Sequence, residues 1–395
     1  MPNPTPTAIK RRTKSTAAVV VMKLRSGLSA LVVATAVAAM TTSSMALAST
    51  GQSIDRPKLQ HRLDRLVAAG APGAVALVRD GDRVSTVTSG YANVATHQQM
   101  RAQDRFRIGS LTKTFASTVV LQLVGEGAIS LEDTVERWLP GVVPNGQAIT
   151  IRMLLNHTSG LFDYPQDQHF IQRAITHPTR PWPLTTLLSV ALAHRPLFAP
   201  GTRWSYSNSG YIALGLVVQS VTGESLADQI RQRILEPLQL HSTTFDQAPR
   251  MRSPYAHGYL LVGKPPAVDA SAWSPSFGGT AGAMVSDARD LAAFLHALFN
   301  GRLLATPLMQ QMEKTVYSAP NRRYGLGLMR KRSVGGATCD PMWGHDGDFP
   351  GYRADAYSTA DGRRQIVVLV NQMRGMLPSA AKHAQDAVIA TAFCG

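Results

Sequence analysis

A serine and a lysine three residues apart, Ser110 and Lys113, are the first side chains in this sequence that could do chemistry together. They open an apolar helical pattern, and residues three apart on a helix lie on the same face. A serine hydroxyl becomes a good nucleophile when a neighbour takes its proton, and a lysine whose pKa is lowered by burial can do so. The N-terminus of the helix also offers N–H donors to an oxyanion. The pair predicts acyl transfer at Ser110, although SxxK alone is also typical of a capped helix with an exposed lysine.

Two further short motifs carry side chains that could complete such a site. Tyr206 and Asn208 lie two apart in an extended segment before a helix that starts near Ser209, so both can point into one cleft. His345 and Gly347 lie in a β-rich segment, where a glycine permits close approach of a substrate to the backbone. Taken singly, these motifs are also typical of a pinned loop and of a hydrogen-bonded histidine. Their order after the SxxK pair is what indicates a catalytic site.

In this order the motifs resemble those of the penicillin-recognising serine hydrolase superfamily, in the branch related to class C β-lactamases that has Tyr-x-Asn as its second motif. The resemblance covers nearly the whole chain after residue 48. It is closest to exported serine D-alanyl-D-alanine carboxypeptidases, which have histidine in the third motif. Besides the motifs, the stretches that carry it are FRIG at 106–109, LLNHTSGL at 154–161, Pro200-Gly201 and YGLGL at 324–328.

The resemblance implies a role for each motif residue. Ser110 would be the acylated nucleophile, Lys113 its proton partner, and Tyr206 a base for the serine or an acid for the leaving amine. Asn208 would hold the substrate amide, and His345 would take the place of the third-motif cation. Ionising a tyrosine at pH 7 costs about 4 kcal/mol, so Tyr206 acts as a base only if a neighbouring charge lowers its pKa. Whether Lys113 or Tyr206 is the base stays open.

The remaining implied contacts surround the reacting carbonyl group. The oxyanion hole would consist of the backbone N–H groups of Ser110 and of Asp348, the residue after Gly347. Phe170 and Phe277 would be aromatic walls of the cleft. We therefore expect these residues to bind substrate.

The third motif departs from the relatives, many of which have hydroxyl residues where this chain has Asp346 and Asp348. Those hydroxyls help to hold a terminal carboxylate, which two acids repel unless cations such as Arg330, Lys331 or Arg332 compensate. Simple alternation along a strand places Asp346 away from the cleft. We expect a D-alanyl-D-alanine carboxypeptidase that acts on peptidoglycan peptides and is acylated by β-lactams. The alternatives are a D-aminopeptidase or amidase, an esterase or a β-lactamase and, more distantly, a non-enzymatic wall-binding or antibiotic-sensing protein.

The elements that must position these motifs come from both ends of the chain. An Asp-Gly hairpin near the start and alternating segments near the end predict five strands, and amphipathic segments flank them. These patterns indicate an α/β (α+β) fold of β-lactamase/transpeptidase type, with an antiparallel five-stranded sheet built from both termini and flanked by helices. The predicted strands are 74–78, 84–90, 342–345, 352–358 and 365–371, and the predicted terminal helices are 53–69 and 379–393.

The segment between these ends, about 126–282, reads as a mostly helical inserted lobe with Pro- and Gly-containing loops. Its predicted helices are 148–156, 184–194, 209–221 and 226–235.

The first 48 residues are typical of an export signal. They hold six Lys or Arg and no acid, and they end in a short apolar run followed by Ala46-Leu47-Ala48. We expect cleavage after Ala48, a hydrolase domain over 49–395, a secreted or cell-wall location and no stable membrane insertion afterwards. In an exported chain, the two cysteines Cys339 and Cys394 are expected to form a disulfide.

The six leader cations account for part of the net charge of +15, and the remaining charge of about +9 could favour anionic wall polymers. The cations are scattered and no nucleic-acid module is recognisable, which argues against nucleic-acid binding. The histidines and cysteines lack HExxH and CxxC spacing, so we expect no metal, and the predicted chemistry needs no cofactor.

Overall fold

The computed structural model describes residues 54–246, 248–260 and 267–394. The predicted leader, residues 1–48, lies outside the described residues. The described residues belong to one compact unit that spans 51–395. Among them, no helix combines the length and the apolar character that crossing a membrane requires.

Fourteen strands form in the described part of the chain, and nine of them make one antiparallel sheet. The strands are β1 (Gly73–Asp80), β2 (Arg83–Asn93), β3 (Gln98–Gln99), β4 (Phe106–Arg107), β5 (Thr244–Phe245), β6 (Tyr259–Leu260), β7 (Val268–Asp269), β8 (Met284–Ser286), β9 (Val316–Ala319), β10 (Arg322–Tyr324), β11 (Met329–Val334), β12 (Ala337–Phe349), β13 (Tyr352–Ser358) and β14 (Arg364–Val370). The order in the large sheet is β3-β2-β1-β14-β13-β12-β11-β10-β9.

The α-helices are α1 (Arg56–Ala68), α2 (Thr112–Gly125), α3 (Val135–Trp138), α4 (Ile151–Leu155), α5 (Gln168–Thr176), α6 (Leu184–Leu192), α7 (Asn208–Thr222), α8 (Leu226–Ile230), α9 (Glu236–Leu238), α10 (Gly279–Gly282), α11 (Ala288–Phe299), α12 (Thr306–Met312) and α13 (Ser379–Phe393). A π-helical turn at Arg231–Leu235 joins α8 to α9. The region 126–282 holds α3 to α10 and the short strands β5 to β7, so its regular elements are mostly helices, as predicted.

The five predicted strands are present as β1, β2, β12, β13 and β14, and the terminal segments do build one sheet. Ala74 in β1 pairs with Val370 in β14, which places the two ends of the described chain side by side. The sheet is larger than predicted because β11, β10 and β9 extend it beyond β12 and β3 is added at the other edge. The segment Met329–Val334 reads MRKRSV, so its charged residues hide the alternation that marks a strand.

Two apolar cores cover the two faces of the sheet. On one face α1 and α13 pack together, and Leu59, Leu63 and Leu66 of α1 are fully buried there. Each such side chain contributes about 1.5–3 kcal/mol when it leaves water. On the other face the helical region, α2 and α11 form the larger core.

The predicted cysteine pair lies where β12 begins and α13 ends. The Cα atoms of Cys339 and Cys394 are 4.4 Å apart, and their sulfur atoms lie at bonding distance. The described residues therefore allow a disulfide that ties the last helix to the strand that carries the third motif.

Candidate active site

Ser110 and Lys113 meet at the start of α2, as their spacing predicts. A 3-10 turn over Gly109–Leu111 precedes the helix, and Ser110 lines the central cavity while Lys113 is fully buried beneath it. The Lys113 Nζ atom lies 2.9 Å from Ser110 Oγ. The hydroxyl and the amine are therefore in direct hydrogen-bond contact.

Lys113 has two further acceptors, Asn208 Oδ1 at 2.7 Å and the carbonyl oxygen of Ala281 at 2.9 Å. Burial lowers the pKa of Lys113 to about 7, and the charges of Asp163 and Asp346 only partly oppose this effect. A neutral amine has two hydrogens and one lone pair. Because the two carbonyl oxygens must receive the hydrogens, the lone pair of neutral Lys113 is directed at the hydroxyl of Ser110.

Asp163 fixes the orientation of Asn208 and was not predicted as a site residue. Its two carboxylate oxygens accept hydrogen bonds from the backbone N–H of Asn208 at 2.7 Å and from Asn208 Nδ2 at 3.1 Å. This arrangement turns Asn208 Oδ1 toward Lys113. Burial raises the pKa of Asp163 to about 6, against the hydrogen bonds from Asn208 and the charge of Lys113. Its sequence signal was an acid inside the apolar stretch Leu161–Tyr164, since a charged residue in such a position usually has a buried partner.

Asn208 itself begins α7, and Ser207 caps that helix by accepting a hydrogen bond from the Gly210 N–H. Because the Ser207 side chain caps the N-terminus of α7, the Asn208 side chain is not needed as a helix cap and faces Lys113.

Tyr206 lines the cavity together with Ser110, and its ring centroid is 4.9 Å from Lys113 Nζ. Burial raises the pKa of Tyr206 well above its usual value, which outweighs the opposing effect of the Ser110 hydroxyl. Because Tyr206 keeps its proton at neutral pH while Lys113 loses its own near pH 7, the geometry favours Lys113 as base and Tyr206 as proton donor.

Contrary to what the resemblance implies, His345 does not take the place of the third-motif cation. It is fully buried and is absent from the cavity lining, where Tyr324 covers it. Tyr324 Oη lies 2.9 Å from His345 Nε2, and His345 Nδ1 contacts the carbonyl oxygen of Asp346. Burial lowers the pKa of His345 to about 3, so its ring is neutral and positions Tyr324 rather than contacting a substrate.

The backbone of β12 passes directly beside the start of α2, where the oxyanion hole was predicted. A Cβ atom at Gly347 would lie only 2.7 Å from the backbone nitrogen of Ser110, and one at Gly109 would lie 2.9 Å from the nitrogen of Asp348. Gly109 also has φ +50°, which favours glycine. The close approach of β12 to the start of α2 therefore leaves no room for a side chain at either glycine and brings the backbone nitrogens of Ser110 and Asp348 near each other's segment.

The cavity has a volume of about 580 Å³, and one of its walls is apolar and aromatic. Phe277 lines it as predicted, together with Tyr164 and Phe349, which were not predicted. The prediction for Phe170 was wrong. Phe170 is buried behind the wall, with its ring stacked at 5.8 Å on that of Phe277, because helix α5 turns it into the core.

Asp346 and Asp348 line the cavity, and cations anchor both carboxylates. Lys331 Nζ lies 2.8 Å from Asp346 Oδ2, and the Arg353 guanidinium lies 3.2 Å from that atom and 2.8 Å from Asp348 Oδ2. Burial opposes ionisation of Asp346, but Lys331 and Arg353 outweigh it and hold the pKa of that carboxyl well below its usual range. Both acids thus belong to one fixed ionic network, in which Lys331 is the compensating cation among those predicted and Arg353 is an addition.

His157, in the LLNHTSGL stretch, orders the loop that carries Tyr206. Its Nδ1 atom accepts a hydrogen bond of 3.2 Å from the Ser207 N–H, and its ring lies 4.3 Å from that of Tyr206. It does not touch Ser110 as a triad histidine would. Across the ranges that the structure describes, no cluster of three or more His, Cys, Asp or Glu could hold a metal ion.

Comparison with known proteins places this geometry in a family. The sequence model of the family described as Beta-lactamase matches residues 59–391. Penicillin-binding protein 4* of Bacillus subtilis is 27% identical over 76% of this chain and 68% of its own length, and the D-aminopeptidase of Brucella ovis is 27% identical over 76% and 56%. The chain thus spans only about two thirds or less of these curated relatives.

Two solved structures of relatives match this chain over almost their whole length. A D-stereospecific amidohydrolase from Streptomyces sp. is 39% identical with a TM-score of 0.78, covering 86% of this chain and 99% of the other. The D-amino acid amidase of Ochrobactrum anthropi SV3 with bound D-phenylalanine is 27% identical with a TM-score of 0.74, covering 85% and 98%. These matches confirm the predicted superfamily and the β-lactamase/transpeptidase-like fold. The chain belongs to the Beta-lactamase family and is a serine acyl-transfer hydrolase.

Proposed function

We propose that the protein hydrolyses amides in which a D-amino acid supplies the carbonyl group, by acyl transfer through Ser110. The observation that carries this proposal is that Asp346 and Asp348 line the cavity next to Ser110. Carboxylates there suit a free ammonium group on the substrate, whereas the hydroxyls of the carboxypeptidase pattern suit a terminal carboxylate. Solved relatives named as a D-stereospecific amidohydrolase and a D-amino acid amidase support the same reading, which was the alternative to a D-alanyl-D-alanine carboxypeptidase.

The steps follow from the contacts around Ser110. Its Oγ atom attacks the carbonyl carbon while its proton passes to neutral Lys113, and the N–H groups of Ser110 and Asp348 stabilise the oxyanion. As the C–N bond breaks, the leaving nitrogen takes a proton from Tyr206, which regains one from protonated Lys113. Water then attacks the ester and loses a proton to Lys113, and Lys113 passes that proton to the departing Ser110 Oγ, which releases the D-amino acid and restores the Ser110 hydroxyl.

The apolar wall supports an acyl group with an apolar side chain. Tyr164, Phe277 and Phe349 lie on one side of the nucleophile and can pack against such a group. β-Lactams contain an amide that can acylate the same serine, so we include penicillin binding in the proposal. Secretion after removal of residues 1–48, and action on a cell-wall peptide, remain proposals that rest on the sequence pattern.

A small substrate panel tests the proposal. D-Phenylalanine amide should be hydrolysed faster than its L-enantiomer, its N-acetyl derivative, a short-chain ester and an N-acetylated D-Ala-D-Ala peptide. The Ser110→Ala variant should lose all of this turnover and serves as the control for contaminating hydrolases. Faster turnover of the blocked D-Ala-D-Ala peptide would overturn the proposal in favour of the carboxypeptidase, and rapid cephalosporin hydrolysis without amide turnover would favour a β-lactamase.

A further inference from the structure

A second cavity, of about 620 Å³, adjoins the active-site cavity. The two cavities share Arg322, Asp346 and Asp348 as lining residues, so they meet beside the third motif. An amide that releases only ammonia would not need this space. A leaving group with one or more amino acids could extend into it from the scissile bond.

The second cavity is polar, and most of its charged groups already have partners. Asp346, Asp348 and Asp355 form ion pairs with Lys331 and Arg353. These three carboxylates outnumber the two cations, so this group of residues offers no attraction to a negatively charged ligand. Further along the cavity, both carboxylate oxygens of Asp386 accept hydrogen bonds from the Arg374 guanidinium.

Arg322 is different, because its guanidinium has no partner within the described ranges 54–246, 248–260 and 267–394. Its Nε atom is buried without a hydrogen bond, while its backbone is paired with Lys331 and Ala319 in the sheet and its carbonyl oxygen accepts a hydrogen bond from Ser318. The residue lies in β10 at the junction of the two cavities. A half-buried guanidinium with unused donors is a strong site for a carboxylate, which it can bind through two parallel hydrogen bonds.

We infer that the second cavity is a leaving-group subsite in which Arg322 binds the carboxylate of a peptide leaving group. The inference rests on the proposed function and narrows its substrate class to short peptides with a D-amino acid at the N-terminus and a free C-terminus. Asp346 and Asp348 suit the ammonium end of such a peptide, and Arg322 suits the opposite end. A substrate with both charges matches the cavity pair better than a simple amide does.

The test compares D-Phe-Gly-Gly with its C-terminal amide, which differ only in the charge at the end of the leaving group. The readout is the ratio of kcat/KM for the acid to kcat/KM for the amide, because damage common to both substrates cancels. In the wild type the acid should be preferred, and Arg322→Gln should lower the ratio by about tenfold or more, the size of one charge-assisted contact. Arg322→Lys keeps the charge and should retain part of the preference.

Arg323→Gln is the matched control. Arg323 is the next residue of β10, faces the other side of the strand, and donates to Thr315 Oγ1 at 3.0 Å. The Arg323→Gln substitution removes one positive charge from the same strand and should leave the ratio of the two kcat/KM values unchanged. The inference would be overturned if Arg322→Gln left the ratio of kcat/KM values unchanged, or if Arg323→Gln lowered it by the same factor. In either case, hydrolysis of D-phenylalanine amide by the wild type would still support the proposed function. A wild type inactive on that amide and on both peptides would overturn the proposed function as well.

Discussion

Replacing Asp163 by asparagine tests the two roles of this buried acid, one electrostatic and one in hydrogen bonding. Its charge supports the protonated form of Lys113, and its oxygens orient Asn208. In the wild type, kcat/KM should fall as the pH drops through about 7, because Lys113 gains a proton and can no longer accept one from Ser110. Removal of the Asp163 charge should lower the pKa of Lys113 further, so the acid limb of the pH profile should move to lower pH.

The size of the shift follows from the contacts. One amide group and two hydrogen bonds separate the Asp163 carboxylate from Lys113 Nζ, which puts the charges about 7 Å apart. At an effective dielectric constant near 20, their attraction is about 2 kcal/mol, or about 1.5 pH units. An asparagine also presents an N–H group to one of the two Asn208 donors. The lost hydrogen bond and the misplaced Asn208 should lower kcat/KM on the plateau by about tenfold or more.

The assay is the kcat/KM profile of a chromogenic D-amino-acid anilide between about pH 5 and 9. Asp167→Asn is the matched control, because Asp167 lies four residues further along and caps α5 without touching Lys113 or Asn208. Its acid limb should stay at the wild-type pH. If the acid limb of Asp163→Asn stays in place or moves to higher pH, Lys113 is not the base whose titration limits the reaction.

Three other outcomes are expected. Labelled penicillin should attach to Ser110, as peptide mapping by mass spectrometry would show, and Ser110→Ala should abolish labelling; a label on another serine would contradict the site. Gly347→Ala should lower kcat at least about a hundredfold and also lower the melting temperature, since the added carbon would collide with the Ile108 carbonyl oxygen, lie 2.7 Å from the Ser110 nitrogen and displace the predicted oxyanion donors. Near-wild-type kcat in that variant would show that the two N–H groups do not act together. Protein purified without reductant should have a mass lower than that of the dithiol form by two hydrogen atoms, and Cys394→Ser should cost about 4 kcal/mol of unfolding free energy by denaturant titration, as a disulfide that spans 55 residues predicts; free thiols at Cys339 and Cys394 would refute the bond.

The residues that meet at the nucleophile were predictable because short-range geometry or motif order fixes them. Ser110 and Lys113 share a helix face by spacing alone, and Tyr206 with Asn208 followed from the second motif. Asp163 escaped prediction because its role depends on which way the Asn208 amide turns, and that is decided by packing between two distant segments.

In the fold, too, local sequence patterns were predictable and features that depend on long-range packing were not. The hairpin of β1 and β2 has an Asp-Gly signal and the final strands alternate clearly, so both were predictable. β9 to β11 are short, and β10 and β11 are also rich in cations, so these three become strands only because β12 offers an open edge. The neutrality of His345 could not be read from the motif either, since it results from complete burial and from the Tyr324 contact.

The pairing of β1 with β14 has a consequence for how the molecule is made. Ala74 finds Val370 only when almost the entire chain has emerged from the ribosome, so the central sheet cannot close during synthesis. Every motif residue, from Ser110 to Asp348, precedes β14 in the chain, and the sheet that carries the third motif is joined to β1 only when that strand inserts between β1 and β13. Hydrolytic activity should therefore appear late and all at once during refolding, in step with protection of the β14 amides from hydrogen exchange, and a nascent chain without its last strand and helix would be inactive although it contains every reacting group.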